Sequence, residues 1–404
     1  MVSAAPPAQI DFINPMINWI QQNRQIVIVT AIALIALGIT AVFGVATLTV
    51  SIAFSTSLAA ILVIAAALSF ATSAFLAYQI IRNIYFQPQA QIEVVQGSPP
   101  NIALNDATGQ KNYRIQIMND TLQHLKAGFY TSPDGTQHTL DLTRSAQGAE
   151  LLFSAGSAAQ QPGNEHTRIL VKNQDCLYAA AELNLEGLNP IVLDMANNGH
   201  FGGGYLTGAR AQEEDCCRRT GLCLAGDMQH GVQRRNFYPL SHPSNSAGIY
   251  IPYVPIFRAG YEKGYQYLNR PFEVAFGVIA ASNNPPIDFS SGMPRLPQTE
   301  AATVREKIRT FFEMARQHGH KSVVFSALGC GAFRNPPDHI AELTMDVINN
   351  EFAHCFNKVV IAIIDDHNTG GRLNPEGNFK PFARRALASG GSAFDANGQE
   401  ITGI

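Results

Sequence analysis

Pro190-Ile191-Val192-Leu193-Asp194-Met195 runs directly into Ala196-Asn197-Asn198-Gly199-His200-Phe201-Gly202-Gly203-Gly204, and seven residues later the chain reads Gln212-Glu213-Glu214-Asp215. The first six residues form a short, nearly continuous apolar run, as expected of a strand buried on both faces of a sheet. Three consecutive glycines remove every Cβ from the loop that follows. Backbone N–H groups can then approach a ligand closely and form an anion-cradling concavity. A triple glycine alone also serves as a flexible turn; the acidic pair at this spacing separates the two readings. A strand, a bare loop and a helix opening on carboxylates put chemistry at the strand's carboxyl end, where open α/β sheets bind ligands.

The surrounding sequence repeats the strand–helix alternation. Strands are predicted at 169–171, 272–281, 322–326 and 358–364, and helices at 113–126, 175–185, 303–317 and 337–349. The 303–317 helix carries Val304, Ile308, Phe311, Phe312 and Ala315 on one face. Pro133-Asp134-Gly135 marks a turn between two short strands. The pattern predicts an α/β fold with a mostly parallel or mixed sheet between helices.

The chain has 404 residues, of which 15% are charged, against roughly 25% in an average soluble protein. Much of the shortage is local, because no Asp, Glu, Lys or Arg lies between Arg24 and Arg82. Such a run suits two membrane spans, at 26–48 and 57–81, better than the alternative of a buried helical hairpin. Polar residues including Asp11 precede it, unlike a cleaved signal peptide. The expected organisation is an N-terminal segment (1–24), a transmembrane helical hairpin (25–82), a linker (83–111), a catalytic domain (112–390) and a C-terminal tail (391–404). Arg24 and Arg82 flank the hairpin, so the expected location is a membrane with the soluble domain facing the cytosol. The membrane is unspecified, a host organelle's included if the protein is exported. Six cysteines without dense spacing exclude a disulfide-stapled scaffold and fit a reducing compartment. A net charge of -3 argues against a nucleic-acid partner.

Gly-Gly-Gly, seven residues, then Gln-Glu-Glu resembles the signature of the poly(ADP-ribose) glycohydrolases, a branch of the macrodomain fold. The string 202–221 is especially similar to the compact bacterial-type members. Residues 169–180, with Asn173-Gln174-Asp175, resemble the family's first βα unit. Ser326-Ala327-Leu328-Gly329-Cys330-Gly331-Ala332-Phe333, followed by Arg334-Asn335-Pro336-Pro337, resembles its second glycine loop, and 113–142 its entry segment. The resemblance spans 113–388 and leaves the uncharged run outside.

What the resemblance implies is a macrodomain-like α/β/α sandwich that hydrolyses a glycosidic bond of ADP-ribose without cofactor or metal. The second loop leads into a helix N-terminus, which suits a diphosphate through free amides and the helix dipole. With Gly202, Gly203 and Gly204 it would clamp both phosphates; Ser326, Gly329, Cys330, Gly331 and Ala332 line it, and Phe333 packs on the distal ribose. Asp175 is either the acceptor for the adenine amino group or an ordinary helix cap. Asn197 and Asn198 stand where the family holds the distal ribose hydroxyls, or cap the loop, and Gln212 belongs to the binding set. Glycosidic cleavage needs a carboxylic acid to protonate the leaving group. Adjacent helical side chains diverge by about 100°, so the two glutamates cannot hold the same atom; together with the resemblance this implies Glu214 as general acid/base and Glu213 on ribose hydroxyls. Phe201 stands where relatives often carry proline, and His200 adds a polar group beside it, so the leaving-group side differs.

The expected partner is the ADP-ribose moiety of a modified protein close to the membrane. The reading leans to mono-ADP-ribose, arginine-linked, because Glu213, Glu214 and Asp215 would accommodate a guanidinium. Ribose–ribose cleavage in poly(ADP-ribose) and a non-catalytic ADP-ribose reader are the alternatives, and the intact glutamate pair argues against the reader. Cys216, Cys217 and Cys223 lack zinc-site spacing, and Cys330 has no nearby base. Asp365-Asp366-His367 is an active-site rim or a strand-end cap, and 250–257 with Arg258 a substrate-side loop or packing.

Overall fold

The computed structural model describes residues 106–153, 166–227, 238, 240, 247–365 and 372–403. Helix α1 (Ala107–Ala127) starts at Asp106, whose carboxylate accepts the Gly109 N–H, and stops at Gly128 with φ of 78°. The hairpin β1 (Phe129–Thr131) and β2 (Gln137–Thr139) follows, its turn at the Pro133-Asp134-Gly135 signal. Next come α2 (Thr143–Gly148), β3 (Glu150–Leu152), β4 (Arg168–Lys172), α3 (Cys176–Leu185) and β5 (Pro190–Met195). Two short helices, α4 (Gln212–Arg219) and α5 (Leu222–Asp227), precede the long strands β6 (Gly248–Arg258) and β7 (Tyr267–Ile279). The chain continues through α6 (Gln298–Gln317), β8 (Ser322–Phe325), α7 (Pro337–Glu351) and β9 (Lys358–Ala362). It ends with α8 (Phe379–Ala388), β10 (Ser392–Phe394) and β11 (Glu400–Ile401).

Nine strands form one mixed sheet in the order β11-β10-β4-β9-β8-β5-β7-β6-β3. The six neighbours from β10 to β7 are mutually parallel. The loops leaving β4, β5, β7, β8 and β9 therefore open on the same edge. Strand alternation sends side chains to two cores. Ile191 and Leu193 join Val323, Phe325, Val359 and Ile361 beneath α6, α7 and α8. Val192, Val324 and Val360 face the other way, toward α3, α4 and α5. Asp194 shares the side of Val192, below α4, and is fully buried.

Several elements differ from expectation. The 250–257 stretch is strand β6, antiparallel to β7. Its prolines, Pro252 and Pro255, lack the N–H a ladder needs, and the register shifts between Ile251 and Val254 with Tyr253 at φ of 54°. Residues 391–404, expected as a tail, contribute β10 and β11, and β10 extends the parallel block beside β4. Helix α1 begins inside the expected linker.

The membrane hairpin expected over 25–82 lies outside the described residues. Among the described residues no helix is long and apolar enough to cross a membrane. The two longest, α1 and α6, are interrupted by charge, as at Arg114, Asp120, Arg305 and Arg309. The fold class is accordingly corrected to the α/β sandwich alone, since no membrane-crossing helix stands among the described residues. The membrane location and membrane partner drawn from that hairpin are not supported by the described residues.

Candidate active site

Helix α4 opens against the carboxyl end of β5, and Gln212 fixes it there. The Gln212 Oε1 accepts the Met195 N–H at 2.9 Å, and its Nε2 donates to the Leu193 carbonyl at 2.8 Å. The side chain placed in the binding set is thus engaged by the strand backbone, and it sets the direction of the next two residues. Glu213 turns into the loop after β5. Its Oε2 accepts the Asn197 N–H and its Oε1 the Gly202 N–H, both at 2.8 Å. Glu214 accepts the Gly204 N–H at 2.8 Å through Oε1, while its buried Oε2 has no partner among the described residues.

The glycines are required by this contact. Gly203 has φ of 53°, and a Cβ there would lie 2.6 Å from Glu214 Oε1 and 2.8 Å from Glu213 Oε2. The loop backbone lies directly on the two carboxylates. The Gly202 and Gly204 amides expected to clamp phosphate hold these carboxylates instead. Asn197 closes the loop from below, its Oδ1 accepting the Gly199 N–H at 2.8 Å and the His200 N–H at 3.3 Å. Asn198 is exposed, and its carbonyl accepts the Leu240 N–H. Phe201 turns inward, packing on Gly226 and edge-on to Tyr238.

Burial of so many acids has an electrostatic consequence. Burial, with added repulsion from Glu214, pushes Glu213 up to about 8, although two backbone amides favour its charged form. Asp194 lies well above the usual carboxylate range, from complete burial first and then from Glu213 and Glu214. Neither of its oxygens has a hydrogen-bond partner among the described residues. Asp194 and Glu213 thus resist ionising together. Asp194 was read only as part of an apolar strand; an acid within a buried run, immediately before the glycine loop, was the available signal.

The loop after β8 is built differently. Ser326 Oγ donates to the Ala362 carbonyl at 2.7 Å and ties β8 to β9. Cys330 is fully buried, and burial pushes its thiol up, as suits packing. Gly329 has φ of 73° because a Cβ would strike Asn335 and Ala281. Asn335, absent from the sequence-based set, clamps this loop: its Nδ2 donates to the Ser282, Gly329 and Phe333 carbonyls. Among the described residues the Gly331, Ala332 and Phe333 amides meet no acceptor. Helix α7 begins just beyond at Pro337 without a side-chain cap. Bare amides and an uncapped helix N-terminus make an anion cradle. Phe333 is half-buried against the core.

An anion cradle after β8 and a pair of buried glutamates after β5 thus lie at the carboxyl ends of parallel neighbouring strands. The family model described as the microbial-type PARG catalytic domain matches residues 118–259. Poly(ADP-ribose) glycohydrolase from Thermomonospora curvata is 30% identical, with 68% of this chain and 99% of that chain covered and a TM-score of 0.57. The chain belongs to the poly(ADP-ribose) glycohydrolase family. The same Thermomonospora curvata enzyme bound to the inhibitor ADP-HPD matches at 28% identity, TM-score 0.55, over 68% of this chain and 99% of that chain. The Deinococcus radiodurans glycohydrolase in complex with ADP-ribose matches at 25% identity, TM-score 0.50, over 62% and 99%. No curated protein matches. As a member of this family the protein is a glycosidase-type hydrolase of ADP-ribosyl bonds.

The remaining residues of this glycohydrolase separate into support and surroundings. Asp175 caps α3, accepting the Leu177 and Tyr178 N–H groups through Oδ1, and pairs with Arg219 through both oxygens. An adenine amino group would have to share those oxygens. Asp215 turns from the glutamates to Arg218, Arg219 and the Tyr265 hydroxyl, and the two guanidiniums and that hydroxyl hold it below the usual carboxylate range despite burial. Cys216 packs under the sheet and Cys217 against α1, on opposite sides of α4. Asp365 accepts the Asn378 N–H at the start of α8, a cap and not a rim; Asp366 and His367 lie outside the described residues.

Proposed function

We propose that this glycohydrolase releases ADP-ribose from poly(ADP-ribose) by cleaving ribose–ribose bonds, with Glu214 as general acid/base. One observation carries the assignment. Both Glu213 oxygens are held by loop amides, whereas Glu214 keeps one buried oxygen unpartnered. That oxygen is the one free to exchange a proton with a reacting group. The diphosphate rests on the Gly331–Phe333 amides and the α7 N-terminus, which directs the distal ribose toward the loop after β5. Glu214 then protonates the departing ribose oxygen as the glycosidic carbon–oxygen bond breaks. A water adds to the oxocarbenium-like centre and returns its proton to Glu214. Glu213 is read here as the residue that shapes the loop, in place of a ribose-hydroxyl ligand.

Poly(ADP-ribose) is preferred over arginine-linked mono-ADP-ribose on chemical grounds. The arginine preference drew on the membrane hairpin and on Asp215 as a third free acid. Asp215 is already neutralised by two buried arginines.

Glu214→Ala in the full chain is the test. Turnover of poly(ADP-ribose) should fall by about 10²-fold or more, with ADP-ribose affinity retained. Near-normal turnover would refute the role of Glu214. Release from arginine-linked substrate but not from the polymer would refute the substrate.

A further inference from the structure

Glu214 is anchored through a single peptide unit. The Gly204 N–H donates to its Oε1 at 2.8 Å, and the carbonyl of that same unit, on Gly203, lies 3.0 Å from His200 Nε2. A carbonyl only accepts, so Nε2 carries the proton. The flanking conformations are permissive: Gly202 and Gly203 have φ of 77° and 53°. A glycine peptide without side-chain restraint can rotate as a plane. Rotation here would carry the Gly204 N–H off Glu214 and turn the Gly203 carbonyl toward two carboxylates. The imidazole opposes that rotation from the far side of the peptide. A donor on the carbonyl also polarises the amide and strengthens its N–H as a donor.

His200 is itself placed for the task. Its backbone N–H and that of Gly199 are held by Asn197 Oδ1, and the Asn197 N–H donates to Glu213 Oε2. Its side chain is exposed.

We propose that His200 is a positioning residue for Glu214, fixing the Gly203–Gly204 peptide and through it the orientation of the acid. This rests on the reading of Glu214 as the general acid/base.

The test compares His200→Leu, which has no donor, with His200→Gln, which keeps an N–H at the end of a comparable chain, each in the full protein. In His200→Leu, kcat on poly(ADP-ribose) should fall about five- to tenfold, the worth of one hydrogen bond. KM and the calorimetric affinity for ADP-ribose should stay within about twofold. His200→Gln should restore most of kcat. In a Glu214→Ala background, His200→Leu should leave the residual rate unchanged, because the two residues act in series. An unchanged kcat in His200→Leu overturns the proposal, as does a loss confined to KM. Equal loss in His200→Gln, or a full further loss in the Glu214→Ala background, overturns it too. Loss of ADP-ribose binding in His200→Leu assigns the residue to loop folding at large and counts equally against it. A Glu214→Ala protein of normal turnover removes the reading of Glu214 and the proposal together. An inactive Glu214→Ala beside a fully active His200→Leu removes the proposal alone.

Discussion

Glu213→Gln should flatten the dependence of stability on pH. The folded protein raises this carboxyl from 4.5 to about 8, chiefly by burial. Between those values the folded state keeps a proton that the unfolded chain releases, so stability falls as pH rises through that window. One proton held across about three and a half pH units comes to roughly 5 kcal/mol at about 1.4 kcal/mol per unit. Asp194 is coupled to Glu213 through their mutual repulsion, which makes that figure an upper bound; about half of it would still be measurable. The substitution has its own fixed cost, because a glutamine has one acceptor oxygen for the two N–H groups of Asn197 and Gly202 that Glu213 satisfies. That cost does not vary with pH and cancels from the comparison. The assay is urea unfolding of both proteins from pH 5 to 8.5. The wild-type free energy should decline more steeply with pH, the two curves converging or crossing toward pH 8. Asp194 is raised by the same surroundings, so the variant keeps part of the slope. Parallel curves would refute the claim that burial keeps Glu213 protonated.

Gly203→Ala would drive its Cβ into both carboxylates and should lower kcat at least about tenfold, with about 1–3 kcal/mol of backbone strain. Gly398→Ala has the same kind of positive φ but open space, so it should change stability alone; equal steady-state rates for the two variants would refute the argument. Arg219→Met leaves Asp175 without its buried partner and takes one of two from Asp215, and should cost about 3–5 kcal/mol. A urea midpoint near wild type would show that the pair contributes little.

How much of this was legible in the sequence depended on length and on spacing. Strands β4, β5, β8 and β9 and helices α3, α6 and α7 announced themselves by apolar runs and periodicity. Strand β6 was hidden because Pro252 and Pro255 read as loop residues, and only the bulge beside them reconciles proline with a buried strand. Strands β10 and β11, of three and two residues, are too short to carry a period. At the site the glycine–glutamate spacing pointed to the two glutamates that lie against the loop after β5, since it reports which residues one turn of helix brings to one loop. It could not report hydrogen bonds. That Gln212 grips β5, that Asp175 serves α3 and Arg219, and that Asn335 clamps the second loop are outcomes of packing between distant segments. The uncharged run at 25–81 spoke of composition, and the described residues contain no membrane-crossing helix to match it.

The two glycine loops look alike in sequence yet serve different groups. In the loop after β5, the Gly202 and Gly204 amides hold carboxyl groups that belong to the protein. In the loop after β8, three amides and an uncapped helix face outward with no internal acceptor among the described residues. If both loops cradled phosphate, the glutamates would be left buried without donors and repelled by the ligand. If both held carboxylates, nothing would attract the diphosphate to a domain without a basic cluster. On the proposed reading the division resolves the conflict: one loop makes acids tolerable in a buried site, and the other leaves its amides to the diphosphate. Asp194 fits the same logic. Kept neutral by burial, it fills the space under the glutamates without adding a charge that the incoming diphosphate would have to overcome.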